Sequence, residues 1–199
     1  YVKDIIRAIK ELKREGVSPE EFTSVVTEEL TQFELIDDLY HQKGAHKGKM
    51  KGKYVTYKKQ IDKNKELSHV YTLYQEKLHT TKQYDFEDMI VEVLRTLERE
   101  EDLLRILQEQ YQYVLVDEHQ DTNNAQNKIL ELLLNFHPQP NIFVVGDEKQ
   151  AIYRFQGASL QNFYYFTYLY KEAVIINLSE NYRSTQRVLD SAHSVIPKE

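Results

Sequence analysis

Hydrophobic residues in the first part of the chain recur every three or four positions, which predicts amphipathic helices. The first predicted helix ends at Gly16 and has these apolar positions: Val2, Ile5, Ile6, Ile9 and Leu12. A second helix is predicted to begin at SPEE, where Ser18 is the N-cap and Glu21 completes a capping box. The helical pattern resumes from about residue 61 to residue 78. Residues 1–83 are therefore predicted to form a small α-helical subdomain.

From Tyr84 onward, helical patterns alternate with short runs of continuously apolar residues. Asp85 is predicted to cap one helix, and residues 124–135 are predicted to form another. Three apolar runs predict buried strands: YVLV at 113–116, NIFVVGD at 141–147 and AVIINL at 173–178. Strands of this kind alternating with helices favour a parallel sheet covered by helices. The predicted fold class is therefore α/β, with a second domain over residues 84–199.

The segment from His41 to Lys65 differs from the rest of the chain in its charge. It holds nine lysines and one acidic residue, Asp62, although the whole chain has a net charge of −6. With three glycines among the lysines, this segment is predicted to be an exposed, mobile loop. Such segregated charge fits a surface that binds a polyanion, and it equally fits a solvated loop.

The composition of the chain excludes some kinds of site and some classes of protein. The chain contains no cysteine, which excludes disulfides and thiolate metal sites and favours a reducing compartment, so we expect a cytoplasmic protein. No apolar run approaches the roughly 20 residues that a membrane span needs, so we expect no membrane partner.

Acidic residues follow two of the predicted strands at the point where each strand ends. Asp117 and Glu118 come directly after YVLV, and Asp147 follows the next strand. Ligands of open parallel sheets bind beyond the carboxyl ends of the strands. Three interpretations remain open from these residues alone: a magnesium–nucleotide site, a direct metal site that uses His119, or a solvated turn.

Longer motifs around these residues resemble a known family. VDEHQDTN, VGDEKQAIYRFQGA and NYRST, in this order, strongly resemble motifs II, III and IV of the superfamily 1A DNA helicases, the UvrD/Rep/PcrA group. YDFEDMI resembles the acidic-aromatic segment that precedes motif II in that family. The resemblance covers roughly residues 70–196. It implies that residues 1–83 correspond to subdomain 1B and residues 84–199 to a partial RecA-like domain 1A.

The resemblance implies an ATP-dependent helicase that couples Mg²⁺-ATP hydrolysis to movement on single-stranded DNA and to duplex unwinding. Asp117 would be the magnesium-associated aspartate and Glu118 the catalytic base. Gln150 would lie near the γ-phosphate, and Arg183 would supply an arginine finger whose planar donors match phosphate oxygens. Besides DNA, the implied partner is the rest of the helicase chain, with its phosphate-binding segment and second RecA-like domain.

Other residues carry supporting roles by the same resemblance. Gln120 and Asp121 would organise the nucleotide site, and Tyr182 would stack on adenine. Single-stranded DNA would meet aromatic and polar residues of motif III and lysines of the basic segment: Tyr153, Phe155, Gln156, Lys49, Lys51 and Lys53. His119 and Gln156 depart from the family, which commonly has an aromatic residue and an arginine at these places. The second departure removes a cation near the DNA path.

The sequence lacks a phosphate-binding loop of the G-x-x-x-x-G-K-[ST] type. The nearest imitation, GAHKGKM at 44–50, has one residue too few between its glycines and a methionine in place of the hydroxyl. Because the family's loop lies before subdomain 1B, we expect this chain to begin after it and to hydrolyse ATP weakly or not at all in isolation. The alternatives are a non-catalytic helicase-like module that binds DNA or protein and, more remotely, a metal-dependent hydrolase.

Overall fold

The computed structural model describes residues 1–147 and 160–195, and those residues are mainly helical. The helices are α1 Val2–Arg14, α2 Pro19–Glu34, α3 Gly52–Thr80, α4 Phe86–Arg99, α5 Glu101–Gln110, α6 Asn124–Leu134, α7 Leu160–Leu169 and α8 Gln186–Val195. The strands are β1 Val114–Val116 and β2 Ile142–Val144. The chain divides into two compact units, Tyr1–Tyr165 and Phe166–Glu199. Within the described ranges, no helix is long and apolar enough to cross a membrane.

The predicted helix starts at Ser18 and Asp85 are confirmed. Ser18 Oγ accepts a hydrogen bond from the Glu21 amide, and Glu21 Oε2 accepts one from the Ser18 amide, at 3.2 and 2.7 Å. Asp85 and Asp88 form the same reciprocal pair at the start of α4. These side chains satisfy amides that a helix N-terminus leaves without partners, which fixes where each helix begins.

The predicted loop over residues 41–65 is wrong in its second half, because α3 begins at Gly52. Tyr54 and Tyr57 of α3 meet the buried ring of Phe33 of α2 edge to face, with ring centroids 6.3 and 5.4 Å apart. This packing offsets the poor helix propensity of a glycine start. Helix α3 completes an apolar core with α2, built on Phe33, Leu39 and Ile61.

The remaining part of the basic segment is an ordered turn that we name the basic hairpin, residues 40–50. Tyr40 and Met50 form an antiparallel bridge, and the His41 amide donates to the Lys49 carbonyl at 3.0 Å. Gly44 and Gly48 adopt φ angles of 80° and 77°, which glycine adopts without strain. The basic hairpin therefore connects α2 to α3 with a defined backbone.

Strands β1 and β2 pair in parallel, with Val114 opposite Ile142 and Val116 opposite Val144. This two-stranded sheet beside helices confirms the α/β prediction at a coarse level. The third predicted strand, residues 173–178, is wrong, because no strand forms there. Its apolar side chains, such as Val174 and Leu178, are exposed. A strand requires a hydrogen-bonded neighbour, which an apolar pattern alone does not supply.

Candidate functional site

The acidic turn, residues 117–121, follows the carboxyl end of β1. Asp117 and Glu118 are exposed, and a short 3₁₀ turn over His119–Asp121 comes next. Glu118 has φ 49° and ψ 41°, in the left-handed region that costs a non-glycine residue about 1–2 kcal/mol. The Asp117 side chain accepts a hydrogen bond from the Glu118 amide at 2.9 Å, which helps to hold this backbone. Strained backbone held in place by its surroundings is common at functional sites.

Gln120 joins the acidic turn to the end of β2. Its side chain is only 2% exposed. Its Nε2 donates to Glu118 Oε2 at 2.6 Å, and its Oε1 accepts from the Asp147 amide at 3.0 Å. One buried amide thus orients the Glu118 carboxylate and links it to the residue after the second strand. The predicted role of Gln120 and Asp121 in organising a nucleotide site stays a prediction, and these contacts are what the structure shows for Gln120.

His119 packs inward beneath the acidic turn. Its amide donates to the Val145 carbonyl at 2.9 Å, and its side chain is 2% exposed. Burial lowers the pKa of His119, and a hydrogen bond with the Asn127 side chain opposes that effect only in part. A buried, neutral imidazole that faces α6 suits a packing role. The interpretation of His119 as a metal ligand is therefore disfavoured.

Oxygen donors dominate the open side of the acidic turn. Asp117 and Glu118 present exposed carboxylates, and the part of the chain that the structure describes contains no group of three or more His, Asp or Glu residues able to hold a metal. Magnesium is usually held by one or two carboxylates together with water and substrate phosphates. The donor set of the acidic turn fits such a shared magnesium site better than a zinc site.

In the second unit, the residues of the NYRST motif form a compact turn. The Asn181 side chain accepts hydrogen bonds from the amides of Arg183 and Ser184, at 3.0 and 2.9 Å. Tyr182 and Arg183 are both exposed beside this turn. The turn leads into α8, so their side chains are presented from a locally ordered backbone.

The lysines predicted to bind DNA do not share one environment. Lys51 and Lys53 both pair with the Asp38 carboxylate, Lys53 at 2.9 Å. Hydrogen bonds from Lys51 and Lys53 lower the pKa of Asp38 to about 2. Lys49 lies in the basic hairpin, exposed. Four residues predicted from motif III lie outside the described residues: Gln150, Tyr153, Phe155 and Gln156.

Some features of the site could not be predicted from the sequence. Glutamate at position 118 gives no indication of a left-handed backbone, which glycine or asparagine would have suggested. The role of Asn181 was also missed, although an asparagine side chain commonly accepts hydrogen bonds from backbone amides two or three residues later in such turns. The bridging contacts of Gln120 depend on two strands that lie far apart in sequence.

Comparison with known proteins gives one consistent result. The sequence model of the UvrD/REP helicase N-terminal domain matches residues 2–171. The ATP-dependent DNA helicase PcrA of Staphylococcus epidermidis is 42% identical over 127 residues, which are 64% of this chain and 17% of that protein. The ATP-dependent DNA helicase PcrA of Bacillus subtilis is 41% identical over 130 residues, or 65% of this chain and 17% of the relative. The chain therefore spans a small part of the length of the curated relatives it matches.

Proposed function

Because the chain belongs to the UvrD/REP helicase N-terminal domain family, we propose that it is part of an ATP-dependent DNA helicase that moves on single-stranded DNA and separates duplex. The relatives named above are ATP-dependent DNA helicases, which supports this assignment. In this proposal, residues 1–83 are a 1B-like helical subdomain and residues 84–199 are part of a RecA-like domain 1A. The alternative is a non-catalytic helicase-like module.

The parallel pair β1–β2 is the part of the structure that supports a RecA-like domain. Leu115 and Phe143, opposite each other in the pair, are both exposed on the same face of the sheet. Apolar side chains on a parallel sheet are usually covered, since such sheets bury both faces. We propose that further segments of the helicase, including the phosphate-binding segment and a second RecA-like domain, complete this region.

The geometry of Glu118 is the single observation that carries the proposed chemistry. Its carboxylate stands beyond the end of β1, exposed to solvent, while the buried Gln120 amide fixes one of its oxygens. A carboxylate held in this way is suited to orient and deprotonate a water molecule that attacks the γ-phosphate of ATP. Asp117, adjacent and also exposed, would hold Mg²⁺ through water, and the metal would neutralise phosphate charge when bound.

The remaining predicted roles complete the proposal. Arg183 would contact the γ-phosphate and Tyr182 would stack on adenine, both from the exposed turn that Asn181 holds. Gln150 would sense the γ-phosphate, while Tyr153 and Phe155 would stack on DNA bases. Lysines of the basic segment would contact the phosphate backbone, with affinity that falls as salt increases.

The test is steady-state ATP hydrolysis by the full-length protein with and without single-stranded DNA. We expect DNA-stimulated hydrolysis by the natural sequence and its loss in Glu118→Gln, which keeps size and hydrogen bonding but removes the base. Glu109→Gln, at the exposed end of α5, is the matched control and should behave as the natural sequence. No hydrolysis by the natural full-length protein would favour the non-catalytic module, and equal rates in Glu118→Gln would remove Glu118 from its role.

A further inference from the structure

Three consecutive carbonyl oxygens at the end of α1 accept hydrogen bonds from three different helices. The Glu15 carbonyl accepts from Lys128 Nζ of α6 at 3.2 Å, and the Gly16 carbonyl accepts from Arg95 Nη2 of α4 at 2.8 Å. The Val17 carbonyl accepts from the Tyr71 hydroxyl of α3 at 3.0 Å. We name this turn, residues 15–17, the carbonyl joint. It gives the end of α1 the cationic and hydrogen-bonding partners that a helix C-terminus favours.

Close packing fixes the joint in one position. Gly16 has φ 71°, and a Cβ added there would lie 3.1 Å from Leu94 Cδ2 and 3.4 Å from Lys128 Nζ. Tyr71 is 1% exposed, and burial raises its pKa, so its hydroxyl stays protonated as a donor. Arg95 also pairs with Glu21 near the start of α2. The joint is therefore in contact with α2 and α3, the two helices that the basic hairpin connects, which we name the helical unit.

The other side of the joint leads to the acidic turn. Helix α6 starts three residues after Asp121, and its N-cap Asn123 forms a capping box with Gln126. From the first two turns of α6, Asn124 Nδ2 donates to Glu15 Oε2 at 3.2 Å, and Lys128 Nζ donates to the Glu15 carbonyl. A helix of 11 residues moves nearly as a rigid body, so a displacement of its first turn would also displace Lys128.

We propose that the carbonyl joint couples the nucleotide state of the acidic turn to the helical unit that carries the basic hairpin. This proposal rests on the proposed function, since it requires ATP at the acidic turn and DNA near the basic hairpin. Lys128 reaches the joint from α6 and Tyr71 reaches it from α3. They are positioning residues, since neither contacts the acidic turn itself.

The test uses the full-length protein and measures ATP hydrolysis in the absence and presence of single-stranded DNA. In the double variant Lys128→Met/Tyr71→Phe, which keeps side-chain bulk and removes both donors, we expect the DNA-independent rate to stay within about twofold of the natural sequence. We expect DNA stimulation to fall by about fivefold or more, since coupling between sites usually amounts to that much. Lys128→Arg keeps a donor and should preserve stimulation.

A matched control is Lys3→Met/Tyr57→Phe, which removes an exposed cation of α1 and a hydroxyl of α3 away from the joint. It should leave both rates unchanged. Stimulation that is unchanged in the joint variant, or basal and stimulated rates that fall together, would overturn the coupling proposal while leaving the proposed function intact. Absence of DNA-stimulated hydrolysis in the natural full-length protein would instead overturn the proposed function, and the coupling proposal with it.

Discussion

At the scale of single residues, the acidic turn depends on how Glu118 is held. Its left-handed backbone and its contact with Gln120 together set the direction of its carboxylate. The sequence predicted that two carboxylates would follow an apolar strand, because the pattern of a short run ending in Asp-Glu is local. It could not predict the backbone angle of Glu118 or the bridge to Asp147, because both depend on contacts between the ends of β1 and β2.

Replacement of Gln120 by leucine tests this arrangement. The variant Gln120→Leu keeps the buried volume but loses the bond to Glu118 and the bond from the Asp147 amide. We expect kcat for ATP hydrolysis by the full-length protein to fall about 10- to 100-fold with a small change in KM, because a misplaced base slows chemistry more than binding. Gln110→Leu, at the exposed end of α5, is the control. An unchanged kcat in Gln120→Leu would contradict the positioning role.

At the scale of elements, a buried ionic cluster fastens α1 to the start of α4. Lys13, 1% exposed, lies 2.7 Å from both Asp85 Oδ2 and Asp88 Oδ1. Tyr74 and Gln75 of α3 donate to the same two carboxylates, at 3.0 and 2.9 Å. Removing one partner of a buried pair leaves an uncompensated charge, which typically costs about 3–5 kcal/mol.

This cluster predicts opposite pH responses for the natural sequence and Lys13→Met. Burial acts to raise the pKa of Asp85, but hydrogen bonds from Lys13 and the Asp88 amide hold it below its ordinary value of 3.8. A lowered folded-state pKa adds stability that is lost as pH falls through it, so the natural cluster should weaken as the pH falls below about 4, the ordinary range of a carboxyl pKa. In Lys13→Met, burial without a cation would raise the pKa of the carboxylates, so protonation should relieve them and stability should rise as the pH falls towards about 4.

Amide hydrogen exchange of α1 and α4 in the full-length protein, corrected for the intrinsic pH dependence of exchange, measures this local stability. Lys3→Met, an exposed lysine on the same helix, is the control and should follow the natural sequence. If Lys13→Met also lost stability as the pH fell, the cluster would not have the charge balance described here.

The start of α3, which follows the basic hairpin, gives a second prediction at this scale. Asp38 neutralises part of the charge of Lys51 and Lys53. If these lysines contact DNA, Asp38→Asn should strengthen single-stranded DNA binding by the full-length protein and steepen its salt dependence. The slope of log affinity against log salt should increase by up to about 1.4, the amount expected for two phosphate contacts.

Fluorescence anisotropy across a salt series measures this slope. Asp37→Asn, a neighbouring exposed carboxylate, controls for the general change in net charge. Equal changes in both variants would show a general electrostatic effect, and an unchanged slope in Asp38→Asn would contradict contact through these two lysines.

The helices and strands show which sequence patterns were sufficient to predict an element and its first residue. A capping box predicted the start of α2, and Asp85 as an N-cap predicted the start of α4, because capping hydrogen bonds lie within four residues. The start of α3 was missed, since the packing of Tyr54 and Tyr57 on Phe33 comes from another helix. The apolar run at 173–178 was assigned to a strand because it is apolar and β-branched, but pairing depends on a neighbour that sequence alone does not identify.

At the scale of the whole molecule, the family assignment and the site are supported by different observations. The family match covers residues 2–171, and the acidic turn, Gln120 and the carbonyl joint lie within that range. The resemblance of VDEHQDTN and NYRST to helicase motifs came from short, contiguous stretches of the sequence. The contacts of the carbonyl joint with α3, α4 and α6 could not be predicted, because they come from the packing of helices far apart along the chain.

The most direct test of the central claim is single-turnover hydrolysis of ATP by the full-length protein saturated with single-stranded DNA. The proposed role of Glu118 predicts that Glu118→Gln binds ATP with a Kd within about threefold of the natural sequence. It predicts that the variant forms phosphate at least about 100-fold more slowly, which is the contribution expected of a general base. Equal rates of phosphate formation at equal ATP occupancy would contradict the assignment of the acidic turn as the hydrolytic site.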